Sequence, residues 1–350
     1  MILSSKATIF LCTFARLLYS GCMRIIRSIL FTATLLTFLI SCNKDLNVNA
    51  DWQDITVVYG LLDQHADTTF IKITKAFLGP GDAMQFAKVP DSSYYPDKLE
   101  VRLDEYNGTT LVNSFPCDTI TMHNKQAGDS IFFYPDQLMY YSKAGLNQDY
   151  TYKLMIKNRK TGKEITSQTG LISRFSILRP QVFASFPPGQ SFQVKWEPAK
   201  NGKRYQLAIR FIYNEAKISD PQHLVMKFVD WVVDNNIQGT DNQTLPFDNY
   251  YPGDAFYAVV GAKIPVDPAV TRSAYRAVFI FTVAAAEMNT YMEVTEPSLS
   301  LVQEKPAFSN IVNGIGLFSS RFINSTDSLT LSSITLSELK VNIHTKDLGF

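Results

Sequence analysis

The side chains that most often carry catalysis are scattered along this chain. Its four histidines lie far apart in the sequence: His65, His123, His223 and His344. None belongs to an HExxH motif or to another cluster with metal-ligand spacing. Asp63 and Asp67 do lie close to His65, but alternate positions in a polar turn are typical of solvated side chains. The sequence therefore predicts no metal site and no cofactor.

Other catalytic signatures are also missing from the sequence. It contains no GxSxG elbow, Walker loop or EF-hand loop, and Gly314-Ile315-Gly316 lacks the rest of a dinucleotide fingerprint. The two carboxylates of a glycoside hydrolase can come from distant strands of a β-sandwich, so the sequence leaves that class open. We therefore predict a non-catalytic protein and keep a carbohydrate-active hydrolase on a β scaffold as the alternative.

One cysteine lies in a context that predicts covalent modification. An apolar run of about a dozen residues follows two arginines and ends at Leu39, Ile40, Ser41 and Cys42. This arrangement resembles the lipobox of a bacterial lipoprotein signal peptide, and the run is shorter than the roughly 20 residues that span a bilayer. We expect a signal peptide over residues 1–41 with translation starting at Met23, lipid on Cys42, and a tether over residues 42–51. Ordinary cleavage and a buried cysteine are the alternatives.

Composition and charge exclude other functions. The 350-residue chain carries 33 Lys and Arg against 32 Asp and Glu, and the basic residues are scattered. No basic patch is therefore expected for nucleic acid or for an anionic membrane surface. Of the four cysteines, only Cys117 would remain as a thiol in the mature chain, so we expect no intramolecular disulfide. The 17 Tyr and 24 Phe far outnumber the 3 Trp, which favours strands.

Alternation of apolar and polar residues predicts strands in the first half of the mature chain. Segments with this pattern, separated by turns, cover residues 55–62, 69–77, 99–106, 109–112, 150–157 and 163–168. Asn107-Gly108 supplies a tight turn in the clearest hairpin. Several short strands at this spacing predict an antiparallel β-sandwich over residues 52–175.

The second half begins after a boundary rich in Pro and Gly, between residues 174 and 190. Residues 191–198 and 205–211 resemble the early strands of a fibronectin type III domain, with Trp196 as the core tryptophan. Further segments predict a strand or a helix at 223–233, a buried strand at 275–283, and helices at 254–263, 284–294 and 331–341. We predict a mainly β fold of tandem antiparallel β-sandwiches, the second being fibronectin III-like with helical additions over residues 176–350.

Several segments together resemble a group of uncharacterised lipoproteins of Bacteroidota that share a domain of unknown function. These segments are residues 57–62, 152–165, the region of Trp196 and, above all, 308–318, where Gly314 and Gly316 indicate a bulge or a close backbone approach. The resemblance implies an envelope lipoprotein anchored to the outer membrane, working beside a TonB-dependent receptor. Whether it faces the periplasm or the cell surface is left open, although Lys44-Asp45 resembles part of a surface-export signal.

Three pairs of tyrosines in or beside loops are candidates for binding: Tyr94, Tyr95, Tyr140, Tyr141, Tyr250 and Tyr251. Exposed Tyr rings stack on sugars or anchor a protein partner, whereas core or sandwich-corner positions are the alternative. Three Asp-Ser/Thr-apolar tripeptides also resemble the O-glycosylation sites of Bacteroidota. They place candidate glycans at Thr119, Ser130 and Ser328.

Overall fold

The computed structural model describes residues 53–78, 93–123, 136–240, 242–296 and 307–350, which belong to one compact unit. The fold in these ranges is mainly β, and three helices accompany the strands. The prediction of a mainly β fold built from packed sheets is therefore confirmed.

The described residues form strands and helices in the following order along the chain. The first half of the described chain contributes β1 (Gln53–Leu62), β2 (Thr69–Leu78), β3 (Glu100–Asn107), β4 (Thr110–Pro116), β5 (Asp118–Met122), β6 (Gln137–Ser142), β7 (Thr151–Lys157) and β8 (Glu164–Gly170). The second half contributes β9 (Ile177–Arg179), β10 (Phe183–Ala184), β11 (Ser191–Trp196), β12 (Arg204–Lys217), β13 (Asp220–Gln238), β14 (Phe247–Pro252), α1 (Asp254–Lys263), β15 (Val270–Ala284), α2 (Ala286–Thr295), β16 (Gly314–Ser325), β17 (Leu329–Leu331) and α3 (Ser333–Val341).

The strands form one large sheet and two small ones. The large sheet has the order β10-β17-β15-β16-β1-β2-β6-β5, and β12 with β13 extends it from the other side of β15. The small sheets have the orders β4-β3-β7-β8 and β14-β11-β9. Most neighbours are antiparallel, but β1–β16 and β10–β17 are parallel pairs.

The parallel pair β1–β16 joins the two halves of the chain. Its register runs from Thr56 beside Gly314 to Leu62 beside Ser320. The two sandwich regions predicted from the sequence therefore share one sheet, in which each half supplies its own strands. The position of the boundary at residues 174–190 stays a prediction.

Each small sheet covers its own hydrophobic core. The first core lies between the four-stranded sheet and β1, β2 and β6, and includes Val58, Ile71, Leu103, Tyr152 and Leu154. The second lies between the three-stranded sheet and β12, β15 and β16, and includes Phe192, Trp196, Phe211, Phe279 and Phe281. These clusters hold the large apolar side chains that drive folding.

Strand β16 takes part in both cores. Phe318 belongs to the first core and Phe322 to the second. Side chains that are four residues apart on a strand point to the same face. Both small sheets therefore pack on one face of the large sheet, and the other face carries α2, whose Tyr291 ring lies edge-on to Tyr59 with centroids 6.4 Å apart.

The two glycines singled out in residues 308–318 lie where β16 approaches β1. A Cβ on Gly316 would lie 2.0 Å from the carbonyl oxygen of Val58, and one on Gly314 would lie 2.7 Å from that of Thr56. Gly316 also has φ +121°, which other residues rarely adopt. The predicted close backbone approach is confirmed.

Local predictions for the other segments hold with two refinements. Residues 223–233 lie inside β13, so the helical alternative is wrong. Residues 275–283 lie in β15, where buried and half-buried residues alternate because a small sheet covers only one face. Gly108 takes the predicted positive φ of 61°, and α1 ends before Pro265.

Candidate binding site

The predicted lipidation site lies outside the described residues. Leu39, Ile40, Ser41 and Cys42 precede the first described strand, as does the tether. Lipidation of Cys42 therefore stays a prediction. In the described ranges, no helix is long and apolar enough to cross a membrane.

Tyr94 and Tyr95 lie half-buried beside the first core. The Tyr94 hydroxyl donates to the amide oxygen of Gln137 at 3.2 Å, and the Tyr95 hydroxyl shares a hydrogen bond of 2.7 Å with Thr56. The ammonium group of Lys75 lies 5.5 Å from the centre of the Tyr95 ring. Both side chains therefore hold the loop before β3 against the large sheet.

Tyr140 and Tyr141 point to opposite faces of β6. Tyr140 is only 2% exposed, and its hydroxyl accepts a hydrogen bond of 2.9 Å from the backbone N–H of Leu99. It is a core residue, so the prediction of an exposed binding ring is wrong at this position. Tyr141 is half-buried, and its ring packs against the exposed Phe70 with centroids 6.3 Å apart.

Tyr250 and Tyr251 also point to opposite faces of their strand, β14. Tyr250 is 62% exposed, and its hydroxyl accepts a hydrogen bond of 3.0 Å from Gln193. Tyr251 packs against Phe192 with ring centroids 5.8 Å apart, and its hydroxyl donates to Asp234. Burial raises the pKa of Tyr251 to about 12, so it stays a neutral hydrogen-bond donor. Of this pair, only Tyr250 offers an exposed ring.

The candidate glycosylation sites differ in position. Thr119 is half-buried on β5, which ends the large sheet, and Ser328 is exposed in the turn between β16 and β17. Ser130 lies outside the described residues. Glycosylation at all three stays a prediction.

A cleft of about 550 Å³ opens between β11 and the segment that follows β9, and its lining residue Gln193 is the one that donates to Tyr250. We call it the aromatic cleft, and its lining includes Arg179, Val182, Phe183, Phe192, Gln193 and Phe279. Phe192 and Phe279 belong to the second core and are 6% and 1% exposed, whereas Val182 and Phe183 are 66% and 57% exposed. The cleft therefore has a floor of core aromatic rings and an apolar rim in contact with solvent.

A hydrogen-bonded row of polar groups lies on one side of this cleft. Gln193 donates to Asp248 at 2.6 Å, and the Lys195 ammonium lies 3.3 Å from the same carboxylate. The Gln193 hydrogen bond, together with Lys195 and Arg179, lowers the pKa of Asp248 below its usual range. Asp248 is ionised and paired with Lys195, so this side is polar, and Arg179 adds a positive charge to it. The aromatic cleft thus combines apolar rings with a few oriented polar groups, which is typical of binding sites.

A second cleft, of about 710 Å³, lies between the loop before β12 and the start of α2. Side chains pack closely on Gly202 in its lining, because a Cβ there would lie 2.6 Å from the Tyr205 hydroxyl oxygen and 2.9 Å from a methyl carbon of Val283. Glu287 lines it and accepts hydrogen bonds from Ser319 at 3.1 Å and Thr169 at 3.3 Å. This carboxylate is therefore engaged in holding α2 against β16 and β8.

Two buried carboxylates of the four-stranded sheet are not among the residues predicted from the sequence. Asp104 and Glu105 are each only 3% exposed. Asp104 accepts hydrogen bonds from Arg102 and Ser114, and Glu105 accepts them from Asn113 and Tyr152. Burying a carboxylate is costly unless its oxygens are hydrogen-bonded, and here both are. Asp104 lies at a polar position of the alternating pattern, so the sequence does not mark it, whereas Glu105 lies in phase with Val101 and Leu103 on the apolar face, and this break in the alternation is the signal that indicates it.

The described linings of the two clefts offer little acid–base chemistry. The aromatic cleft has no Asp or Glu in its described lining, and the second cleft has Glu287 alone. Glycoside hydrolysis generally uses two carboxylates about 5–10 Å apart. Among the residues that the structure describes, no group of three His, Cys, Asp or Glu side chains could hold a metal ion.

Cys117 is a free thiol, and burial raises its pKa to about 11.

Comparison with known proteins gives no assignment. No protein-family model matches the chain, and no curated protein matches it.

Proposed function

We propose that this chain is a non-catalytic lipoprotein of the cell envelope, anchored to the outer membrane by lipid on Cys42, that acts as an accessory or binding module. One structural observation carries the proposal, namely the aromatic cleft with Phe183 and Tyr250 exposed beside it. Exposed aromatic side chains around a preformed cavity are the usual anchors of protein interfaces. The lipobox and the resemblance to Bacteroidota lipoproteins support the location.

The partner that we propose is a protein of the outer membrane, with a TonB-dependent receptor as the first candidate. The cleft is large enough to accept an apolar side chain from such a partner, which would rest on Phe192 and Phe279. The polar row through Gln193 and Asp248 would then lie at the rim of the contact, where polar groups are typical. Affinity should therefore come from apolar burial rather than from charge.

Co-purification from membranes in gentle detergent tests this proposal. The parent chain should bring down an outer-membrane β-barrel protein, and the double substitution Phe183→Ala with Tyr250→Ala should reduce its recovery at least several-fold. Phe70→Ala is the matched control, because Phe70 is 43% exposed and lies on β2, which does not line the aromatic cleft. Recovery should persist at about 1 M salt, where the Debye length is about 3 Å.

Two outcomes would contradict the proposal. The first is recovery of the chain alone in several mild detergents while a receptor is expressed. The second is a complex that forms but is lost equally in the double variant and in Phe70→Ala, which would mean that the aromatic cleft is not the contact.

A further inference from the structure

β13 has an open edge. In the described chain this strand pairs with β12 alone. Its first nine residues are all exposed, and burial begins at Val229, which is 6% exposed. The free backbone N–H and C=O groups of such an edge can pair with another strand.

The open edge has defined limits on both sides. Pro221 has no N–H to donate, so pairing cannot continue regularly through it. At the other end, the Lys263 ammonium of α1 donates to the backbone carbonyl of Asp230. We therefore define the open edge as residues 222–229.

The side chains of the open edge are mainly apolar. Leu224, Met226 and Phe228 are 61%, 63% and 58% exposed on one face, and Val225 is 55% exposed on the other. The Arg210 guanidinium lies 4.3 Å from the centre of the Phe228 ring and leaves that ring largely exposed. A contiguous exposed apolar surface of this kind marks an interaction site.

The charged side chains next to these residues already have partners within the chain. Lys227 pairs with Glu215, Asp230 pairs with Arg210 at 2.7 Å, and His223 lies 3.2 Å from Asp220. Lys227, the lysine within the open edge, is therefore already paired with Glu215, which also binds Arg272, so the contact with a partner strand should depend on the apolar side chains. A second copy of the same edge offers the same apolar side chains, with its own Lys227 paired in the same way.

We propose that two copies of this chain pair antiparallel through their open edges, about a twofold axis at Met226. The residues from 223 to 229 lie symmetrically about Met226 within the open edge. This register places Leu224 opposite Phe228 of the second copy, with the two Met226 side chains adjacent. Cross-strand apolar pairs of this kind stabilise a sheet.

Neighbouring registers are less favourable. An axis at Lys227 would place the two lysines opposite each other and Leu224 opposite Asp230. An axis at Val225 would place Phe228 opposite Gln222, and an axis at Phe228 would place Met226 opposite Asp230. Like charges directly opposite one another destabilise a sheet, whereas the axis at Met226 pairs Leu224, Met226 and Phe228 only with one another and leaves Lys227 opposite Val225 on the other face. The interface is isologous, as most homodimer interfaces are.

Disulfide cross-linking of the full chain in intact cells tests both the partner and the register. Variants are made with Cys117→Ala, and the Cys117→Ala chain itself gives the background from the remaining cysteines. Directly opposed residues have Cα atoms about 4.5–5.5 Å apart, which suits a disulfide. Met226→Cys should therefore give a band of twice the chain mass, as should Leu224→Cys combined with Phe228→Cys.

Leu224→Cys alone is the register control. Its two copies would be offset by four residues, about 13 Å along the strand, which is too far for a disulfide. Sedimentation of the purified chain gives a second measurement, in which Met226→Lys should shift dimer to monomer. Val266→Lys, at a position 65% exposed in the loop after α1, should leave the dimer intact.

Three results would overturn the proposal. One is cross-linking of Met226→Cys to a protein of another mass, which would show a different partner. Another is a monomeric parent chain with no cross-linked band. The third is equal cross-linking of Leu224→Cys and Met226→Cys, which would show contact without this register.

Discussion

Replacing Gly316 by Ala should destabilise the fold strongly, because Gly316 lies where the two halves of the chain meet. The added Cβ would lie 2.0 Å from the Val58 carbonyl oxygen, and φ is +121°. Such a backbone conformation costs a non-glycine residue about 1–3 kcal/mol, and overpacking costs about 1–3 kcal/mol more. We therefore expect a loss of about 2–6 kcal/mol in the free energy of unfolding, a large share of the stability of a typical domain.

Two other glycines provide matched controls. Gly108 has a positive φ of 61° but open space around it, so Gly108→Ala should cost about 1–2 kcal/mol for strain alone. Gly145 also has open space and no positive φ, so Gly145→Ala should change stability by less than about 1 kcal/mol. Gly314→Ala, with a Cβ 2.7 Å from the Thr56 carbonyl oxygen, should be destabilising without the strain of a positive φ.

Urea unfolding followed by tryptophan fluorescence gives these free energies, provided that the dependence on urea concentration is unchanged. Hydrogen exchange adds a local readout, since Gly316→Ala should increase exchange in β1 more than in β12. A Gly316→Ala chain that is as stable as Gly145→Ala would refute the reasoning. So would a loss of stability that leaves exchange in β1 unchanged.

Three further predictions concern charge, chain organisation and the anchor. The pKa of Glu215 is lowered, first by its hydrogen bond from Lys227. The ionised carboxylate therefore contributes stability above the ordinary carboxyl pKa, and this stability is lost as the pH falls through the lowered pKa. Glu215→Gln should therefore make Tm fall less steeply in acid, and a steeper fall would contradict this. A single proteolytic cut within residues 187–190 should leave two fragments that co-elute in size-exclusion chromatography without denaturant, because β1 of one fragment pairs with β16 of the other. Separate elution of the fragments would show that the shared sheet does not hold them together. Cys42→Ala should abolish labelling of the protein by a fatty-acid analogue, and undiminished labelling would exclude lipidation there.

Local structure could be predicted because it depends on neighbouring residues. Alternation located most strands, Asn107-Gly108 located a hairpin, and helical spacing located α1. The parallel pairing of β1 with β16 could not be predicted, because its partners lie more than 250 residues apart and parallel pairing leaves no turn between them. Gly314 and Gly316 did signal a close backbone approach, but a glycine does not reveal which strand approaches it.

The sequence predicts that the two rings of a tyrosine pair can differ in exposure, but not which of the two is exposed. Consecutive residues of a strand point to opposite faces, so a pair within a strand can expose one ring and bury the other. The structure exposes Tyr250 and buries Tyr140, and which ring of a pair is exposed depends on which face of its strand packs on a hydrophobic core. The aromatic cleft cannot be predicted from the sequence, because its floor and rim come from separate strands and from the segment after β9, which only the fold brings together.

β13 shows that an alternating apolar pattern can belong to either a buried or an exposed face of a strand. Leu224, Met226 and Phe228 share one face, as their spacing predicts, and such a face is ordinarily buried. Here these three side chains lie on the face of β13 opposite the core residue Val229, so the face is exposed. Exposed apolar side chains on an unpaired edge favour association, and natural proteins usually protect such edges with charges or proline. This chain places Pro221 and Asp230 on either side of residues 222–229, and Lys227 between them pairs with Glu215, so the apolar side chains of this stretch stay open to a partner strand.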